Sequence, residues 1–460
     1  SIRYFVMATA SLLPLPSKET LVKEFVGKSI KDVATPAAVL DLQKLKSNCS
    51  RMLEAVESLD CGWRAHIKTH KTTELTKLQV GDGPGPVNLI VSTIVEAENL
   101  LPLLLEYKSA GRVVNLLYSF PVTPSAVPRL TSIAAALGPH TLSLLIDHPT
   151  QFLSVSSIPT PTSLFIKIDM GGHRAGVTPN TESCSQLISS ALALEATGTA
   201  SLLGLYSHAG QSYAGDGQLV ALDLLRQEFE ALLLTSTSIN FPTSTHHPLV
   251  LSVGATPTTT SIRNLLLPTI SLPYSAAPSV AALKATILAI RNSGCSIEIH
   301  AGVYPTLDIQ QLSTRALPSA LLGWDDMALT IIAEVASLYP GRGAGGSTEA
   351  LLGAGTLALG REPCKAYPGW GIVTPWNRQG VEMPREGPEK HAGWIVGRTS
   401  QEHGILTWGG EVGGEDVLTV GQKVRVWPNH ACIAGVGYGW YLVVDGGDEI
   451  VDVWVRWRGW

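Results

Sequence analysis

The sequence predicts an α/β fold, a (β/α)8 barrel of the TIM type followed by a C-terminal all-β domain, and three observations carry that expectation. From Thr35 onward, short apolar, β-branched runs alternate with longer stretches of helical periodicity, as in repeated βα units around a parallel sheet. Nine such runs fall at 35–42, 63–69, 88–93, 113–120, 141–147, 163–169, 201–208, 248–254 and 296–304. If the first pairs elsewhere, eight remain, the number that closes a barrel. Past about Pro318 the texture changes to short strands between glycine-rich turns, which reads as an all-β domain.

The expected division is an N-terminal extension over 1–34, a barrel over 35–318 whose first strand is free to pack with the β-domain, and the β-domain over 319–460. Ser1–Val6, which precede Met7, stay outside the fold argument. The segments between the strands are amphipathic: over 43–59, Leu45, Cys49, Met52, Leu53 and Val56 recur at three- and four-residue spacing, and 218–234 behaves similarly. The β-domain strands are expected at 328–336, 369–373, 394–400, 404–408, 423–426, 438–444 and 449–456. Gly341-Arg342-Gly343-Ala344-Gly345-Gly346 fits a dinucleotide-binding fingerprint by letter, but no parallel βαβ unit surrounds it, so it reads as a loop. The tryptophans of the C-terminal end (Trp440, Trp454, Trp457, Trp460) read as core and interface packing.

Composition narrows the function classes. At 460 residues the chain exceeds one ordinary core. With 33 basic against 38 acidic residues and no basic block, neither nucleic acid nor an anionic membrane is an expected partner. Low charge, 15%, beside 45% hydrophobic residues suits a large interior and a subunit interface, and a homodimer is expected. Six cysteines without paired spacing read as reduced thiols in the cytoplasm. No apolar run reaches the length of a membrane span.

Candidate chemistry gathers at two places. Trp63–Lys71 is a strand-like run ending in amines and imidazoles, and a lysine at the end of a buried strand loses its proton more readily than a solvated one, which suits Lys68 to Schiff-base chemistry. Barrel enzymes build their sites beyond the C-terminal ends of the strands, which here carry Lys68, Ser92, Tyr118, Asp147, Asp169, His208, Gly254 and Gly302. The second place is Asn429-His430-Ala431-Cys432. In an extended segment residues two apart face one way, so an imidazole and a thiolate would meet one ion, and ligand softness favours zinc. Two protein ligands leave positions for water and substrate, or for a third ligand such as His403.

The runs Thr35–Leu42 and Arg64-Ala65-His66-Ile67-Lys68-Thr69-His70-Lys71, together with Lys167–Val177 (K-x-D-x-G-x-x-R-x-G-V), Tyr206–Tyr213 (Y-x-H-x-G-x-x-Y), Gln401–Gly404 and His430-Ala431-Cys432, resemble the D-serine dehydratase and D-threonine aldolase family. Those enzymes use pyridoxal 5'-phosphate on an alanine-racemase-like barrel with a following β-domain. The resemblance implies that Lys68, not Lys71, carries the cofactor. It also implies a ring partner in His208, contacts from Tyr206, Gln211 or Tyr213, Arg174 at the pyridine nitrogen, Gly254 and Thr256 around the phosphate, and Tyr304 with Asp308 after the last barrel strand. His430 and Cys432 would bind Zn2+, which would stabilise the departing β-hydroxyl. The implied reaction is elimination of water from D-serine, or from D-threonine, to a keto acid and ammonia. The alternatives are a D-threonine aldolase, or another aldolase of D-3-hydroxy amino acids, and a non-catalytic pyridoxal-phosphate-binding protein. Such binding proteins typically lack a second domain, and aldolases of this fold tend to show H-x-D in place of H-x-C. The chain departs from the family in Ala65, where a proline is expected, and in Gly353, where a polar residue is expected.

Overall fold

The computed structural model describes residues 12–239, 247–268, 276–376 and 391–460, so Ser1–Val6 lie outside the described residues. The chain forms two compact units, one built on Arg51–Gly302 with short terminal pieces and the other on Leu15–Ser50 with Val303–Arg458.

All nine runs expected before the β-domain are strands. The first, β1 (Ala37–Asp41), belongs to the second unit. The other eight are β2 (Gly62–His66), β3 (Val87–Val91), β4 (Val114–Tyr118), β5 (Leu142–Ile146), β6 (Thr162–Lys167), β7 (Ala200–Tyr206), β8 (Val250–Val253) and β9 (Ser296–Ala301). They close a barrel in sequence order with every neighbouring pair parallel. Because side chains alternate along a strand, one set from each points into the barrel. Ile90, Leu117, Leu145, Phe165 and Tyr206 form an apolar cluster there. The strands are short, and each is followed within a few residues by a turn or a capped helix. Thr72, Thr93 and Thr181 cap their helices by accepting the backbone N–H of Leu75, Glu96 and Cys184.

The second unit holds a nine-stranded sheet. Its further strands are β10 (Leu329–Tyr339), β11 (Glu349–Leu352), β12 (Gly371–Pro375), β13 (Trp394–Thr399), β14 (Gly404–Trp408), β15 (Lys423–Pro428), β16 (Trp440–Val444) and β17 (Ile450–Val455). The strand order is β11-β14-β13-β12-β15-β10-β1-β16-β17. β1 sits inside it, antiparallel to β10 (Ala38 opposite Ile331) and parallel to β16 (Leu40 opposite Val443). The division therefore differs from the expected 1–34, 35–318 and 319–460. Residues 15–50 join the β unit, because β1 makes its ladder there, and the barrel unit ends at Gly302. β11 was not expected, being four residues in a glycine-rich stretch. Gly341–Gly346 lies in the connection between β10 and β11, an antiparallel pair, so the loop reading of that run holds. Trp454 and Trp457 are buried, whereas Trp460 is 81% exposed and packs no core. Among the described residues no helix is long and apolar enough to cross a membrane.

Candidate active site

β2 ends at His66, and Lys68 follows two residues later in a half-buried turn, just past the C-terminal end of the strand. The two lysines of the run differ sharply. Lys71 has φ +51°, and its ammonium is held 2.9 Å from Glu96, whose carboxylate is 1% exposed and also accepts the Ser92 N–H at 2.7 Å. Lys68 has no carboxylate partner among the described residues. The two histidines differ as well. His70 Nδ1 accepts the Thr72 N–H at 3.1 Å and its Nε2 donates to Gln79 Oε1 at 2.8 Å, which makes it part of the turn's framework. His66 accepts the Lys68 N–H on Nδ1 at 3.4 Å and faces Ser92 Oγ with Nε2 at 3.2 Å. Burial, reinforced by the charge of Lys68, holds His66 and also His208 and His300 well below the usual histidine range, so all three imidazoles are neutral.

The loops after β7 and β8 are tied together. His208 Nδ1 donates to the Gly254 carbonyl at 2.7 Å. Gly254 has φ +145°, and a Cβ there would stand 2.1 Å from the His300 carbonyl oxygen, so only glycine fits. Glu228, fully buried on the helix Gln218–Ser236, accepts from Ala209 N at 2.8 Å, Gly254 N at 3.3 Å and Thr258 Oγ1 at 3.2 Å. Burial pushes its carboxyl up to about 7. Thr256, also buried, opens the helix Thr256–Ser261. Tyr206 is buried at the end of β7, parallel to the His300 ring with centroids 4.3 Å apart.

Beside these loops is a cavity of about 220 Å3 lined by Lys167, Asp169, Arg174, His208 and Gln211 among others. Burial, then the nearby Arg174 charge, lowers the Lys167 amine to about 8, so it can gain or lose a proton near neutrality. Asp169 accepts the N–H groups of Gly171 at 2.9 Å and His173 at 3.1 Å, which against the effect of burial keep its carboxyl below the usual range. Arg174 is exposed at the rim, and Tyr213 is half-buried in the turn Gly210–Ala214. Gln211 Nε2 contacts Met170 Sδ, and its buried Oε1 has no partner among the described residues.

Tyr304, Asp308, His430 and Cys432 lie in the second unit. Tyr304 is buried near the Cys49 thiol, which burial pushes up to about 12. Asp308 caps the helix Ile309–Ser313 through Gln311 N, accepts the Ala431 N–H at 2.8 Å and stands 3.3 Å from His430 Nδ1. The segment 429–432 is not the extended run expected. β15 stops at Pro428, His430 alone is extended, and the helix Ala431–Ala434 begins immediately, its first N–H taken by Asp308. Imidazole and thiol still meet, because Cys432 is hydrogen-bonded to His430. Burial would lower His430, but Cys432 and Asp308 outweigh it and push the imidazole up to about 11. This nitrogen–sulfur pair fits the softer half of a zinc site. Among the described residues no three His, Cys, Asp or Glu side chains converge on one ion, and His403 is exposed.

Sequence reasoning passed over Ser252, Glu298 and Glu228, and took His300 only as the first residue of the run His300–Tyr304 after the last barrel strand. Ser252, Glu298 and His300 could have been found from alternation, since Glu298 and His300 are two apart on β9 and share a face with Ser252 on β8. Glu228 carries no such signal, being one acid in an amphipathic helix.

An amine without a carboxylate partner at the barrel's C-terminal end, a glycine-requiring turn after β8, and buried acceptors without partners, all among the described residues, fit pyridoxal phosphate. With the closed parallel barrel and the following β-sheet, they define an alanine-racemase-like enzyme of the pyridoxal-phosphate class called fold type III. Residues 40–265 match the model of the alanine racemase N-terminal domain and residues 328–444 that of a putative serine dehydratase domain. The chain is 38% identical to a D-serine dehydratase of Schizosaccharomyces pombe over 96% of both chains, and 29% identical to one of Saccharomyces cerevisiae over 96% of this chain and 99% of that one. The solved structure of the D-threo-3-hydroxyaspartate dehydratase from Delftia sp. HT23 superposes with a TM-score of 0.71 at 24% identity, covering 94% of this chain and all of that one. The chain belongs to the D-serine dehydratase family and is a lyase.

Proposed function

We propose that this enzyme is a pyridoxal-phosphate- and zinc-dependent lyase that removes water from D-serine and releases pyruvate and ammonia. The observation that carries the reading is the contrast between an amine tied to a buried carboxylate, Lys71, and one without such a partner, Lys68. Lys68 Nζ would hold the cofactor and is the amine placed to take a proton from the substrate's Cα. When bound, pyridoxal phosphate supplies the sink for the electron pair left at Cα, and zinc on His430 and Cys432 supplies a Lewis acid. Three neutral imidazoles around Lys68 add no positive charge that would compete with its proton uptake. Arg174 and Lys167 give the cavity a cationic lining suited to a phosphate or carboxylate. Glu228 holds the His208 and Gly254 loops in register. D-serine is favoured as substrate because two relatives over nearly the full chain carry that activity in their names.

The test is incubation of protein loaded with pyridoxal phosphate and zinc with D-serine, L-serine and D-threonine, with and without a chelator. Keto acid from the D-substrates alone, lost on chelation and restored by zinc, is the expected result. Glycine and acetaldehyde from D-threonine would replace elimination with aldol cleavage. No product, with the cofactor's absorbance intact, would make the chain a binding protein.

A further inference from the structure

We infer that the buried chain Arg64–Glu298–Ser252 fixes His300 as a hydrogen-bond acceptor inside the barrel, its Nε2 lone pair receiving an N–H or O–H donor of the bound ligand. The tautomer follows from this chain's own contacts, and only the ligand half rests on the pyridoxal-phosphate reading above.

The register of the barrel brings the groups together. Ser252 on β8 is opposite Glu298 on β9, and Arg64 on β2 is opposite His300. Arg64 is 1% exposed, with Nε 2.6 Å from Glu298 Oε1 and Nη1 donating to Asn115 Oδ1 at 2.8 Å. A carboxylate paired with a guanidinium has no proton to give. Ser252 Oγ, 2.7 Å from Glu298 Oε1, must therefore be the donor of that bond. Its single proton is then committed, so in the 3.0 Å contact with His300 Nδ1 the imidazole donates. His300 thus carries its proton on Nδ1 and a lone pair on Nε2. Burial, with the charges of Arg64 and Lys167, keeps the ring from taking a second proton against the opposing pull of the Gly254 carbonyl.

Nε2 is the open end of this chain. His300 is 2% exposed, and Nε2 has no hydrogen-bond partner among the described residues. A buried acceptor left unmet is costly, and in a binding site the natural partner is the ligand. The ring is not free to turn away, since Tyr206 lies parallel to it at 4.3 Å and His208 nearly parallel at 6.2 Å. The ammonium or hydroxyl of D-serine is a donor of the required kind, as is the ring nitrogen of pyridoxal phosphate when protonated, which requires that Arg174, a donor only, face the phosphate or carboxylate and not that nitrogen. Glu298 and Ser252 are positioning residues for either.

The experiment uses the full-length protein labelled with 15N-histidine, the His300 signal being assigned by its loss in His300→Gln. In the cofactor-free protein the expected state is a proton on Nδ1, with Ser252→Ala shifting it toward Nε2 and Ser252→Thr, which keeps the hydroxyl, preserving it. Movement of the Nε2 signal on adding pyridoxal phosphate alone, with about tenfold weaker cofactor binding in Ser252→Ala, identifies the cofactor as donor. Movement only when D-serine is added to the loaded protein, with a rise of about tenfold in KM and unchanged cofactor affinity in Ser252→Ala, identifies the substrate. A proton on Nε2 in the cofactor-free protein overturns the inference, as does an Nε2 signal that neither compound moves. Failure of pyridoxal phosphate to bind the wild-type protein would overturn the ligand half together with the proposed function, while the tautomer is still decided without cofactor.

Discussion

The barrel's polar interior and the His430–Cys432 pair are built to different standards. In the barrel, Arg64, Glu298, Ser252 and His300 form one buried chain, Glu228 ties two loops by three hydrogen bonds, and each imidazole has a defined partner. In the β unit two donors share a short turn, steadied by Asp308 and Ala431. A site held by many buried groups keeps its geometry without its ligand, whereas a two-donor site is completed by what binds it. The difference teaches which substitutions should separate cofactor binding from reaction.

The largest effect is expected at Lys68. Lys68→Ala should abolish turnover and the absorbance of lysine-bound cofactor, whereas Lys71→Ala should keep both and lower thermal stability, because it strands the Glu96 carboxylate in the interior. A scan of absorbance and melting temperature for the pair separates the roles. Next is Gly254→Ala. With φ +145° and a Cβ 2.1 Å from a carbonyl oxygen, it should cost more than about 2 kcal/mol in a denaturant titration and weaken cofactor binding. Cys432→Ala sharpens the comparison from the other side: metal analysis should show lost zinc, and keto-acid formation should fall more than about a hundredfold, with cofactor absorbance unchanged. Retained zinc in this variant would remove the thiol from the metal site.

The smallest effect concerns Glu228. Its carboxyl is raised from 4.5 to about 7 by burial, so the fold favours the neutral form. Its contribution to stability is complete below about pH 4.5 and is lost as pH rises through 7. The melting temperature of the wild type should fall relative to Glu228→Gln across that window. Parallel profiles for the two proteins would mean that the carboxyl does not titrate there.

The barrel was legible because each βα unit is a local pattern, short apolar run then amphipathic helix, and all eight strands lie within a few residues of their expected ranges. The count of nine runs already left the first free to pack with the β-domain, and β1 does pair there. That 15–36 and 42–50 go with it was not legible, because pairing with strands hundreds of residues away leaves no local mark on the flanking residues. The turn at His430 was hidden for a related reason: an H-x-C run reads as extended until Asp308, far upstream, is seen to take the Ala431 N–H. The position of Lys68 just past the end of a barrel strand was legible from the sequence, whereas its proposed role rests on the resemblance. Glu298 and His300 were present in a strand whose remaining residues are mostly apolar, and only closure of the barrel shows that they face Ser252 and Arg64.

The central claim is that Lys68 holds the cofactor, and reduction of the loaded protein with borohydride followed by peptide mass spectrometry tests it most directly. The account predicts a pyridoxyl adduct on Lys68, with Lys71 and Lys167 unmodified. An adduct on Lys167 or Lys71 with Lys68 unmodified would contradict it.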